Sequence, residues 1–252
     1  MNYVVGDIGN TLTKICIVNK NFKISKEYSI ETKKLFLNRN IYKFIIPILK
    51  KKIKKKILFS SVFPNIYNRI KKFINSKNYQ CYEIKDLPLK KIIKINVDSY
   101  NQLGSDRIAN AISVFNLFKS NCLVVDFGTA TTFDIVKKKG IYEGGVIAPG
   151  LKLSILNLNK STASLPIFDL KPNLKIYGKN TKDALNAGFL WGYQGLINNI
   201  IKKITLKFKT KFKIILTGGY AEIFAKFINN KTTIDKHITI KGIMFIYKNL
   251  IK

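Results

Sequence analysis

Residues 2–18, NYVVGDIGNTLTKICIV, decide how the rest of the chain is read. Two apolar runs rich in Val and Ile flank GDIGNT, so the stretch predicts a β-hairpin. A hairpin turn needs only a short polar pair such as Asn-Gly or Asp-Gly. This tip carries Asp7, Asn10 and Thr11, with Thr13 and Lys14 just beyond. Such a density of hydrogen-bonding groups at one tip marks a candidate ligand site.

The pattern returns at residue 122, in CLVVDFGTATTFDIVKKKGIYEGGVIAPG. Again an apolar run leads into Asp-x-Gly and a Thr-rich turn, followed by a second run and a third. Asp126 and Asp7 are 126 − 7 = 119 residues apart, close to half of the 252-residue chain. A duplicated chain with one such hairpin in each half is the simplest account. Two similar domains facing one another would bring both tips to the cleft between them, a favoured ligand site. Gly9 and Gly128 would let the backbone turn and approach a ligand closely. Backbone N–H groups and Thr hydroxyls at such tips donate to anionic oxygens, and Lys14 adds a point charge suited to phosphate. Asp7 and Asp126 cannot hold bare phosphate, but they can hold a cation that bridges to it. A single Asp-x-Gly-x-Thr is more often an ordinary turn. Two at matched positions point to a metal–nucleotide clamped between two hairpins.

Composition bounds the alternatives. The chain is 46% hydrophobic, enough for a substantial core in two small domains or one large one. No stretch approaches the ~20 apolar residues of a membrane span; Lys43, Pro47 and Lys50 interrupt the nearest, IYKFIIPILK. The three cysteines, Cys16, Cys81 and Cys122, lie far apart in apolar runs without CxxC spacing. They are read as reduced core residues of a cytoplasmic protein, without a metal role. A net charge of +31 would ordinarily suggest nucleic acid or an anionic membrane. The basicity is nearly all lysine, spread along the chain, with only Arg39, Arg69 and Arg107 as arginines. Ile, Asn and Lys share A/T-rich codons, so genome composition accounts for the excess, and no nucleic-acid or membrane partner is expected. The densest run, KKKIKKKI at 50–57, reads as a solvated helix end leading into a strand.

After the first hairpin come a strand-like run at 22–30, a helical stretch at about 31–51, a strand at 56–62, a helix after Pro64 and a strand at 79–84. Residues 105–118, SDRIANAISVFNLF, carry apolar side chains at 108, 109, 112, 115 and 118, near helical spacing. Ser105 is a plausible N-cap, placing Asp106 and Arg107 in the first turn. Asp106 could accept the proton of a hydroxyl attacking a γ-phosphate, and Arg107 could grip a carboxylate in bidentate fashion. The plainer role for Asp106, complementing the helix dipole, is disfavoured by the scarcity of acids here. Residues 212–219, FKIILTGG, form a further strand followed by a helix, with Gly218 and Gly219 able to approach a nucleoside.

DIGNTLTK, DFGTATTFD and LTGGYAEIF stand in the order of the two phosphate motifs and the adenosine motif of the actin, sugar-kinase and heat-shock-ATPase superfamily, which the chain resembles. The resemblance implies an α/β fold: two tandem ribonuclease-H-like domains, 1–118 and 119–252, with mixed sheets flanked by helices and a nucleotide cleft between them. LGSDRIANA, DFGTATTFD, GGVIAPGLKLSILNLNKSTASLP and GKNTKDALNAGFLWGYQGLI together resemble type III pantothenate kinase over most of the chain. That resemblance implies ATP-dependent phosphorylation of pantothenate in coenzyme A synthesis, with Mg2+ and a monovalent cation, K+ or NH4+. It implies Asp106 as general base and Gly104, Ser105, Asp106 and Arg107 around pantothenate. It assigns ATP contacts to Asp7, Ile8, Gly9, Asn10, Thr11, Leu12, Thr13, Lys14 and Thr129, and the monovalent cation to Asp126.

Two positions depart from the family. Its substrate-contacting Tyr is Val97 here, with Tyr100 nearby but out of register, and Lys236 follows Asp235 where the family has proline. Residues 180–197 predict a helix with Asn180 as N-cap and Asp183 three residues later, like a capping box. Gly188, Gly192 and Gly195 share one face of it. Each glycine costs ~1 kcal/mol in a helix interior, which close packing would offset, within the chain or across a dimer. The resemblance implies a homodimer in which Thr181 contacts pantothenate in the partner's site. His237 and Trp191 read as structural. Alternative functions are another small-molecule kinase or ATPase of the superfamily, or a basic nucleic-acid-binding regulator.

Overall fold

The computed structural model describes residues 1–172 and 175–251. The chain divides into two compact units, residues 1–119 with 139–143 and His237 onward, and residues 120–138 with 144–236.

The first unit opens with β1 (Asn2–Ile8), β2 (Leu12–Val18) and β3 (Ile24–Glu31). A 3-10 turn (Thr32–Phe36) precedes α1 (Asn38–Leu49), then β4 (Ile53–Ser61), α2 (Pro64–Asn75) and β5 (Gln80–Glu83). The sheet order is β3-β2-β1-β4-β5. β1, β2 and β3 are antiparallel, whereas β4 and β5 run parallel to β1. The central β1 is apolar and buried from Tyr3 to Gly6, as a strand covered on both faces must be. The edge strand β3 alternates instead. α2 starts with Pro64 at its first turn, where a missing N–H costs nothing, and buries Ile66, Ile70 and Ile74 at helical spacing.

The lysine run passes from the end of α1 into a strand, as its sequence reading has it, with the strand beginning at Ile53. α1 ends at Leu49, and Lys54, Lys55 and Lys56 belong to β4, exposed between buried Ile53 and Ile57. Two long-range contacts hold this stretch extended: Tyr247 donates to the Lys56 carbonyl (3.0 Å), and Lys56 Nζ to the Ile251 carbonyl (2.9 Å). The unit continues with β6 (Lys94–Ile95), paired in parallel with residues 141–142, and α3 (Ser105–Phe118).

The second unit repeats the plan with β7 (Cys122–Phe127), β8 (Ala130–Lys137) and β9 (Ile141–Pro149). α4 (Leu151–Lys160), α5 (Thr181–Phe208), β10 (Lys213–Gly218), α6 (Ala221–Phe224) and β11 (Thr232–Ile234) follow. Its strands run β11-β10-β7-β8-β9. β7 and β8 are an antiparallel hairpin, and β10 lies parallel to β7 as β4 lies parallel to β1. Leu123, Val125, Phe127, Leu190, Leu216 and Phe224 sit in its core. The three cysteines are free and buried. No helix among the described residues is long and apolar enough to cross a membrane.

A division at residue 118 alone does not show that α7 (Ile238–Leu250) returns to the first unit. It packs backbone to backbone on α3. A Cβ at Gly242 would lie 1.9 Å from the Ala109 carbonyl oxygen, and Thr239 Oγ1 donates to Asn110 Oδ1 (2.8 Å). The neighbour is main chain and cannot swing aside. Gly242→Ala is therefore expected to cost roughly 1–3 kcal/mol. Urea denaturation reads this as a lowered midpoint, and an unchanged midpoint would show that the helices can separate freely.

Candidate functional site

The first hairpin tip is held from below. Gly9 N–H donates to the Leu12 carbonyl (3.1 Å), closing the turn. Thr32, from the following 3-10 turn, donates its N–H to the Thr11 carbonyl (2.9 Å) and its hydroxyl to the Gly9 carbonyl (2.7 Å). The Thr32 and Thr13 hydroxyls are 3.0 Å apart. Thr13 and Ile8 are fully buried, so their side chains face the interior and only their backbone borders the tip. Asn10, Thr11 and Leu12 are exposed. Asp7 stands directly opposite Lys14 across the hairpin, so the two side chains share one face. On the other side Asp7 is in register with Ser60 of β4, whose buried hydroxyl has no hydrogen-bond partner. Sequence reasoning did not single out Ser60; the Ser-Ser pair ending an apolar strand was its only signal.

The start of α3 differs from expectation. Gly104 is the N-cap, with no side-chain cap, and Ser105 is the first helical residue. The Ser105 hydroxyl instead donates to Glu83 Oε1 (2.6 Å), a partner 22 residues away and invisible to local pattern. Asp106 folds back over Gly104: a Cβ there would lie 2.5 Å from Asp106 Oδ1, which accepts the Arg107 N–H at 2.8 Å. Burial pushes the Asp106 carboxyl above its ordinary range, against the opposing pull of the Arg107 N–H and charge. The Arg107 guanidinium lies 6.0 Å from the Tyr142 ring centroid. Of the two candidate substrate-contacting positions, Tyr100 sits 37% exposed in a 3-10 turn (Tyr100–Gln102), and Val97 is half-buried.

In the second unit, Asp126 is half-buried near the end of β7, opposite Thr132 on β8 and Thr217 on β10. Gly128 N–H closes the turn to the Ala130 carbonyl (3.1 Å), and Thr129 is exposed. Neither Gly9 nor Gly128 has a positive φ, so conformational freedom is not what places glycine there. At Gly128 a Cβ would meet only ordinary contacts, at 3.5 Å and beyond. The strict requirements lie behind the tip. A Cβ on Gly150 would sit 1.8 Å from the Thr129 carbonyl oxygen. Gly218 has φ +87°, and Gly219 N–H donates to the Phe127 carbonyl (3.1 Å). Both glycines brace the tip from behind.

Asn180 caps α5 as expected, accepting the Asp183 N–H at 2.9 Å, and Thr181 is exposed in the first turn. Gly188, Gly192 and Gly195 are exposed, with nothing within 4 Å of a Cβ built on them. Packing against the other described residues of the chain is therefore not what these glycines serve.

A family model described as type III pantothenate kinase matches residues 3–203. A type III pantothenate kinase from Pelagibacter ubique is 47% identical over 243 residues, covering 96% of each chain. Another, from a Sulfurihydrogenibium species, is 33% identical over 96% of this chain and 98% of its own. Among solved structures, the activator of 2-hydroxyisocaproyl-CoA dehydratase from Clostridium difficile superposes with a TM-score of 0.56 at 11% identity, over 98% and 95% of the two chains. An ethanolamine utilization protein from Carboxydothermus hydrogenoformans gives 0.57 at 12% identity, over 98% and 90%. With neighbours described as sugar kinases, these share the two-domain fold.

Proposed function

The chain belongs to the type III pantothenate kinase family and phosphorylates pantothenate with ATP in coenzyme A synthesis; we propose how its residues do so. Asp106 is the general base. The observation that carries this reading is its setting at the head of α3, where Gly104 leaves room for the carboxylate and Oδ1 is held by the Arg107 N–H. The hydroxyl proton passes to Oδ2 as the substrate oxygen attacks the γ-phosphorus and the bond from that phosphorus to the bridging oxygen breaks, with ADP leaving. A carboxyl raised by burial is a better proton acceptor near neutral pH than an ordinary one. Arg107 holds the pantothenate carboxylate through its fork of donors. Gly104 and Ser105 border the same site through their backbone, the Ser105 hydroxyl being turned to Glu83, and Tyr100 stands in for the aromatic that Val97 lacks.

Lys14, Asn10 and Thr11 hold ATP phosphates at the first tip, while Ile8, Gly9, Leu12 and Thr13 contribute backbone. Asp7, beside Lys14 and the unpartnered Ser60 hydroxyl, has the hard oxygen donors that suit Mg2+. Asp126, with Thr129 exposed at the adjacent tip, suits K+ or NH4+ in the same way. A cation held there supplies positive charge beside the phosphoryl oxygens. The exposed glycine face of α5 supports a homodimer to which Thr181 contributes across the interface. The lysine excess is compositional and has no nucleic-acid or membrane role, and the enzyme is cytoplasmic.

Coupled detection of ADP release, with and without pantothenate, tests the reading. Release should require pantothenate and fall by about tenfold or more when sodium replaces potassium or ammonium. Asp126→Ala should lose that discrimination together with most activity. Equal rates in sodium would remove the cation role alone; ADP release independent of pantothenate would overturn the substrate site.

A further inference from the structure

We infer that Glu83 is a positioning residue for phosphoryl transfer, acting on Asp106 through Ser105. The inference rests on the reading of Asp106 as the base. Glu83 ends β5 and is 8% exposed. Its Oε1 accepts the Ser105 hydroxyl (2.6 Å) and the Ser61 N–H (3.3 Å), and its Oε2 accepts the Lys85 N–H (2.5 Å). One buried carboxylate thus joins the end of β4, the turn after β5 and the first residue of α3.

All three of these groups are donors, so the site is built for the charged, acceptor form. Burial opposes that form and pushes the Glu83 carboxyl up. Lys85 does not neutralise it by contact, because its Nζ donates to the Asn101 (3.0 Å) and Leu103 (2.9 Å) carbonyls and lies 5.4 Å from the Tyr100 ring centroid. A buried carboxylate bonded only to neutral donors is a costly way to stabilise a fold. What it supplies is geometry. α3 has no side-chain cap, so its first turn lacks the usual local anchor. Glu83 and Lys85 grip the chain on either side of Gly104, at Ser105 and at Leu103. Asp106 is the next residue, and its Oδ1 occupies the space that a Cβ at position 104 would fill, so a shift of this turn moves the carboxylate with it. Small displacements of a reacting group are expensive in rate.

Glu83→Gln keeps the shape but turns one acceptor into a donor, so a donor among the three loses its partner. Ser105→Ala removes only the hydroxyl that transmits the position. For each variant, kcat and both KM values are measured on protein whose folded fraction is set by urea denaturation. Each is expected to lower kcat by about tenfold, with the KM for ATP within about twofold of the wild type. The double variant should be no slower than the slower single, because both changes break one link. Additive losses, or wild-type kcat in either folded variant, would overturn the inference. Should Glu83→Gln not fold, Ser105→Ala decides alone. Asp106→Asn, assayed in parallel, separates the failures. If Asp106→Asn turns over normally, the base reading falls and this inference with it. If it collapses while Glu83→Gln and Ser105→Ala keep full kcat, only the role of Glu83 falls.

Discussion

Asp106→Asn is expected to lower turnover by roughly 10²–10⁴-fold while ATP still binds. The amide matches the carboxylate in shape, and its oxygen can still accept the Arg107 N–H that holds Oδ1 at 2.8 Å. The change therefore removes proton acceptance with little disturbance of the first turn of α3. The pH profile gives a second reading of the same group. Burial raises the Asp106 carboxyl, so the acid limb of the wild-type rate should lie above the ordinary carboxylate range of about 4, and Asp106→Asn should lose it. The sign for stability is opposite. Burial disfavours the charged forms of Asp106 and Glu83, so both favour the fold below their raised pKa values, and that contribution is lost as pH rises through them. Activity should grow over the same interval in which these two groups cease to stabilise. A near-normal rate for Asp106→Asn would mean that a loose, dissociative transfer needs only positioned reactants and no base.

Much of this was legible because it is local. The two Asp-x-Gly hairpins follow from apolar runs separated by turn residues, and the cap at Asn180 from its spacing to Asp183. What escaped is tertiary. Ser105 looks like an N-cap in the sequence, but Glu83, arriving from β5, takes its hydroxyl and leaves Gly104 as the cap. Gly9 and Gly128 were credited with turn flexibility, whereas among the described residues positive φ at glycine falls at Gly140, Gly144 and Gly218. Gly242 carries no local signal at all, since its reason is the Ala109 backbone of α3. Glycine patterns report that something comes close without saying what.

That ambiguity is sharpest on α5. Gly188, Gly192 and Gly195 each cost about 1 kcal/mol relative to alanine in a helix interior, and among the described residues nothing beyond the helix's own backbone lies within 4 Å of a Cβ on any of them. A second copy packing on this face would supply the missing contact, and the exposed Thr181 at the head of the helix would then reach the partner's pantothenate site. Two separately dead chains should complement each other. Thr181→Phe places bulk at an exposed position without touching the Asn180 cap, so its own fold should survive while the site it enters is blocked. Mixed with Asp106→Asn and allowed to exchange subunits, half of the dimers are hybrids. Each hybrid has one site carrying both lesions and one carrying neither, so about a quarter of wild-type activity should return. Mass photometry or labelled subunits establish exchange independently of rate. Exchange without recovery would confine each site to a single chain, and a fully active monomer would leave the glycine face without a catalytic purpose.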